Sequence, residues 1–206
     1  MEIVGRRSSV FTRVALIFAE TFDVPYTFVA IHDMKELDPS IYAGNPSLKM
    51  PALRRNGSLL LGTLNICRAI AETAQAQQRV VWPEELPDDE SRSAQELIWH
   101  CMSAQVQMVM GTVLGKLPAD NVFFTKTIAG LTGSLRWLEE HLAPVVQRLP
   151  APRDLSVFEV SLLCLVEHLE FRPTVPLTPY PGLLNFARSL AAVPAIQRTA
   201  YRFDAR

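Results

Sequence analysis

The chain has 206 residues, 49% of them hydrophobic and 20% charged, enough for one large domain or two small ones of ordinary globular composition. Lys plus Arg is 20 and Asp plus Glu is 21, which argues against a basic surface built for nucleic acid or an anionic membrane. Cys67, Cys101 and Cys164 are odd in number and widely spaced with no CxxC, so neither a zinc site nor a dithiol motif is expected, and no metal is. They read as buried free thiols in a reducing, cytoplasmic setting. The start "MEIVGRRSSVF" lacks a secretory core, and no run of 18 apolar residues predicts a membrane span.

The elements follow in chain order. "MEIVG" predicts a short strand. "SVFTRVALIFAETF" carries Phe11, Val14, Ala15, Phe18 and Phe22 at helical spacing, with Ser8 or Ser9 as N-cap. "VPYTFVAIH" is β-branched and aromatic, a strand. Together these predict a βαβ unit with a parallel pair and a right-handed crossover. "MPALRRNGSLLL" predicts a hairpin, with Asn56-Gly57 as a type I′ turn. "GTLNICRAIAETAQ" predicts a helix capped by Thr63. The order βαβ, loop, ββα implies a small sheet of about four strands with helices on its faces.

"QQRVVWPEELPDDES" brings two prolines and an acidic cluster and reads as a linker, with Ser91 or a nearby Asp capping the next helix. Beyond it helical periodicity dominates, broken by "PAPRD" and "RPTVPLTPYPG". Ser156 to Glu159 has the pattern of a capping box, and a short last helix is expected after Pro194. The expected division is 1–76, a linker at 77–90, and an all-helical part at 91–206. Trp99, Met102, Val106 and Met110 form an apolar stripe on the first long helix, a pattern also given by core or by a subunit interface. His32, His100, His141 and His168 are not gathered by any motif.

Pro51 stands at the head of the third strand. A trans proline there is common on edge strands. A cis bond costs an X-Pro pair only about 0.5–1 kcal/mol and would leave the N–H and C=O of Met50 facing solvent or a ligand. The residues alone leave both readings open.

The order of elements, "NPSLKMPAL", Gly62-Thr63, "SVFEVSLL" and "YPGLLNFARSLAAVPAIQRTAY" together resemble the cytosolic glutathione transferases over nearly the whole chain. The resemblance implies a glutathione S-transferase fold: an α/β thioredoxin-like N-terminal domain with cis-Pro51 and an all-α C-terminal domain. It implies glutathione as co-substrate, a small hydrophobic electrophile and a homodimer. Ser9, or its neighbour Ser8, would donate a hydrogen bond to the glutathione thiolate. Thr63 would hold the γ-glutamyl carboxylate. Met50, led by cis-Pro51, would pair with the cysteinyl backbone, and Lys49 would meet the glycyl carboxylate. An acceptor pocket between the halves would draw on Phe11, Trp99, Met102 and Val106.

The chain departs from the family pattern in two places. Gly62 replaces an acidic residue that meets the γ-glutamyl group, and Val10 replaces a frequent proline. A missing charged hydrogen bond costs roughly 1.5–3 kcal/mol. Two functions therefore stay open: a transferase that activates the glutathione thiol, and a binding protein that keeps the fold without that chemistry.

Overall fold

A computed structural model describes residues 1–75 and 77–205. Among these, the residues up to 78 and from 192 to 205 form one compact unit, and 79–191 form another. The sequence reading placed residues 192–205 with the helices; they pack instead with the first unit.

In the first unit, β1 (Glu2–Gly5), α1 (Val10–Thr21) and β2 (Thr27–Ala30) form the expected βαβ unit, with β1 and β2 parallel. β3 (Ala52–Arg55) and β4 (Ser58–Leu61) form the hairpin, and α2 (Thr63–Thr73) follows. Asn56 and Gly57 have φ of 52° and 74°, the two positive angles that a type I′ turn requires. The sheet order is β2-β1-β3-β4, with β3 antiparallel to both neighbours.

Successive strand residues face opposite sides. Val4 and Ala52 pack with Ile31, Tyr42 and Ala43 on one side, so their neighbours Ile3 and Leu53, both fully buried, face the other. There α1 and α2 contribute Val14, Phe18, Ile66 and Ile70 to the core. The helices thus occupy one face of the sheet. The second face, expected to carry a helix, is covered by residues 31–50 with only a short 3₁₀ turn at Pro39–Tyr42.

The second unit contains α3 (Asp89–Met108), α4 (Val122–Arg148), α5 (Val157–Phe171) and α6 (Pro181–Leu190). A short helix, α7 (Pro194–Arg198), belongs to the first unit. Asp88 caps α3, accepting from the Ser91 amide at 2.7 Å. α5 is buried on nearly every side, as a core helix is, and packs against α3 and α6. The run Asp89–Leu114 is long and apolar enough by length and composition to cross a membrane. It also packs along α4 and α5 within the unit, as core helices do. Its end, Val109–Leu114, widens into a π-helical turn that the apolar stripe did not reveal.

Two features of the second unit correct the sequence reading. The expected linker contributes β5 (Val80–Val81), which pairs in parallel with β6 (Leu155–Ser156). Arg79 and Asp154 lock this pair through the Arg79 amide at 2.9 Å and the guanidinium at 2.9 Å, contacts that hold the Asp154 carboxyl below the usual range. The capping box at Ser156 does not form. Ser156 occupies the N-cap position but makes no side-chain cap bond. Glu159 turns instead to Arg153, at 2.8 and 2.7 Å. A bidentate guanidinium is a stronger partner than a backbone amide, and it outcompetes the cap.

Cys67, Cys101 and Cys164 are free and buried, as expected; burial pushes the Cys101 thiol up to about 12.

Candidate functional site

The sheet topology gathers the site. β1 and β2 are parallel and end at Gly5 and Ala30. β3 runs the opposite way and begins beside the end of β1, with Ala52 opposite Val4. β4 ends at Leu61, opposite the same Ala52. The β1–α1 loop, the segment before β3 and the β4–α2 junction therefore meet at one edge of the sheet. Ser9, Met50, Pro51, Gly62 and Thr63 lie on these three segments, and Lys49 is exposed beside them.

Both α1 and α2 begin at this edge, so two helix N-termini, each with partial positive charge and unfilled N–H groups, face it. Ser9 is the N-cap of α1: its Oγ accepts the Thr12 amide at 3.3 Å, leaving its own O–H free to donate elsewhere. Ser8, the competing candidate, is buried and accepts from Arg6 Nε at 3.4 Å. Close approach of β1 to α1 depends on Gly5, where a Cβ would stand 2.6 Å from Thr12 Oγ1.

The start of α2 differs from its sequence reading. Thr63 is not the cap. Gly62 is, with φ 89° and ψ 127°, and its carbonyl accepts the Ile66 amide at 3.0 Å. Thr63 is the first helical residue, and among the described residues no group bonds its hydroxyl. No side chain caps this helix, so its first-turn amides stay open toward the edge. The positive φ at Gly62 suits glycine and would strain an L side chain. The residue that departs from the family pattern thus fits its own backbone angle.

The Met50–Pro51 bond is cis. β3 starts only at Ala52, and among the described residues no hydrogen bond takes up the Met50 N–H or C=O. Sequence reasoning gave Asn45 no role, although it lies in the quoted motif. Asn45 is 3% exposed. Its Nδ2 donates to the Lys49 carbonyl at 2.7 Å, and its Oδ1 accepts from the Ser47 amide at 3.0 Å and the Ser47 hydroxyl at 2.8 Å. One buried amide thereby fixes the loop that presents Lys49 and Met50. The signal was a buried-type Asn after a tight turn, with Ser two residues on.

The remaining candidates divide between the units. Phe11 is half-buried on the first turn of α1. Trp99 and Val106 are half-buried on α3, while Met102 is 1% exposed and packs as core. An open groove of about 860 Å³ in the second unit is lined by Leu86, Arg92, Gln95, Glu96, His100 and Trp137, among others. Trp99, Met102 and Val106 are not in that lining. Among the described residues no three His, Cys, Asp or Glu side chains are grouped to hold a metal.

Comparison with known proteins bears on this geometry. Residues 3–78 match the family model described as glutathione S-transferase, N-terminal domain. No curated protein matches the chain. Among solved structures, a glutathione S-transferase from Methylobacillus flagellatus with glutathione bound is similar, with a TM-score of 0.74 and 19% identity over 98% of this chain and 99% of that one. A glutathione S-transferase from Methylobacterium radiotolerans, in complex with glutathione sulfonate, gives 0.75 at 14% identity over 100% and 96%. A family member from Pseudomonas fluorescens with bound S-(propanoic acid)-glutathione gives 0.72 at 17% identity over 98% and 99%. Residues 3–78 thus carry the pattern of a glutathione S-transferase N-terminal domain, and over its length the chain takes the glutathione S-transferase fold.

Proposed function

We propose that the protein binds glutathione at the shared edge of β1, β3 and β4 and activates its thiol. The thiolate sulfur then bonds to the carbon of a small apolar electrophile, and the leaving group departs with the electron pair; the reverse removes such a group. The observation that carries this reading is the meeting, at one sheet edge, of two helix N-termini and the unpaired backbone of Met50.

Each part of glutathione has a matching group. The γ-glutamyl carboxylate suits the open amides and Thr63 hydroxyl at the start of α2. The cysteinyl backbone suits a strand-like exchange with Met50, and the glycyl carboxylate suits Lys49. The Ser9 O–H donates to the sulfur, and the α1 dipole favours its anion, which lowers a thiol that titrates near 8.5 when free. Ser9 is not a nucleophile in this scheme. The glutathione derivatives bound to the similar transferases support the ligand class.

A second reading, a binding protein without transferase chemistry, is favoured by one observation: Gly62 offers no side chain to the γ-glutamyl group. Calorimetry separates the two. Glutathione binding in the micromolar to low-millimolar range, weakened by Thr63→Ala, supports the site, and loss of the conjugation rate in Ser9→Ala supports the thiolate role. No heat at several millimolar glutathione selects the second reading. The proposal includes a homodimer, which light scattering tests.

A further inference from the structure

The last residues of the chain run back along α1. Near the C-terminal end of that helix, Arg198 Nε donates to Glu20 Oε2 at 2.5 Å. At its first turn, the Arg13 guanidinium lies 4.3 Å from the centroid of the Tyr201 ring. Ahead of the helix, Asp204 accepts from the Arg7 amide at 3.0 Å and from Arg7 Nη1 at 2.8 Å.

Asp204 sits at the sensitive end of this strap. Its side chain is 3% exposed, and it takes up both a backbone amide and a guanidinium of one residue. Arg7 lies two positions before Ser9, and its guanidinium also stacks 4.0 Å over the Phe28 ring on β2. The Ser9 amide returns to the Arg6 carbonyl at 3.1 Å. The loop that carries Ser9 is thus pinned from a point 197 residues away in sequence. Charge-assisted bonds of this kind are about twice as strong as neutral ones.

We infer that Asp204 is a positioning residue for Ser9: by holding Arg7 it fixes where the Ser9 hydroxyl stands and so sets the titration of a thiol bound there. The inference rests on the proposed role of Ser9. It is tested with Asp204→Ala and Asp204→Asn on the full chain, by two readouts. The first is amide hydrogen exchange of the free protein. The alanine variant exchanges Arg7 to Thr12 about tenfold faster or more, while α4 and α5 keep their protection. The second is the ultraviolet titration of the glutathione thiolate in the complex. The thiol titrates at higher pH, and the KM for glutathione stays within about twofold, because the carboxylate-binding groups on α2 are untouched.

Asp204→Asn keeps an acceptor but loses the charge. It gives an intermediate effect, and it carries the test alone if the alanine variant does not fold. Unchanged exchange over 7–12 overturns the inference, as does a wild-type thiol titration in a variant whose loop has loosened. If the wild type binds no glutathione, the functional reading fails separately, and exchange alone decides whether Asp204 fixes the loop.

Discussion

The two helix starts at the sheet edge differ, and the difference bears on how each works. α1 begins with a serine whose side chain satisfies one of its own amides. α2 begins with a glycine that satisfies none. The first start holds itself together and still has a hydroxyl proton to offer. The second leaves its amides for something else. A glycine at the N-cap is less stabilising than a serine by only about a few tenths of a kcal/mol, and open amides of this kind bind anions. One start is thus suited to placing a single donor, the other to taking up a carboxylate.

Substitutions can break this contrast. The largest effect is expected at Gly5→Ala, where the new Cβ would meet Thr12 Oγ1 at 2.6 Å and Cγ2 at 2.8 Å. Thr12 is itself fully buried, so the α1 start must shift, at a cost of about 1–3 kcal/mol in chemical denaturation. Gly62→Ala comes next. Its cost is about 1–2 kcal/mol, because the φ of 89° is strained for any L side chain. An unchanged denaturation midpoint there would mean the α2 start adopts another geometry.

Ser9→Ala and Thr63→Ala form the sharpest pair. Ser9→Ala loses a cap and costs about 1 kcal/mol. Thr63→Ala removes no cap and changes stability by less than about 0.5 kcal/mol. Equal losses would show that Thr63 caps α2 after all.

The last test lies at the far end of α1, where neither start is involved, and it shows only above pH 10. Tyr26 donates to Glu20 at 2.8 Å, and burial, then that bond, pushes its hydroxyl up to about 12 from 10.0. A raised folded value contributes stability that is complete below the unfolded value near 10 and is lost as pH rises toward 12. Stability should therefore fall over pH 10 to 12 in the wild type, and Tyr26→Phe should flatten that fall.

Much of the first unit was legible because its signals are short-range. Asn56-Gly57 sets its own turn, Ser9 lies three residues from the amide it caps, and the apolar spacing of α1 needs no partner to be seen. The parallel pair of the βαβ unit and the antiparallel hairpin followed from the connections between their strands. What was misread depended on competition or on distance. Thr63 looked like a cap because hydroxyls usually are, yet the positive φ of Gly62 moves the helix start by one residue. Ser156 and Glu159 matched a capping box, but Arg153, three residues before Ser156, claims the glutamate. Asn45 could be placed only once the loop it holds was seen.

By itself the sequence determined the order of strands and helices along the chain, the hairpin turn and a serine cap, Ser8 or Ser9, at the start of α1, because each depends on neighbours within a few positions; the site residues came from the family resemblance. Only the tertiary structure decided the rest. The pairing of β5 with β6 joins residues 75 positions apart. Glu139 of α4 caps α6 by accepting the Gly182 amide at 2.7 Å and the Leu183 amide at 2.9 Å. Asp204 returns to Arg7 across almost the whole chain. Contacts of this kind leave no local pattern, since their partners meet only after the core has closed and brought distant backbone together.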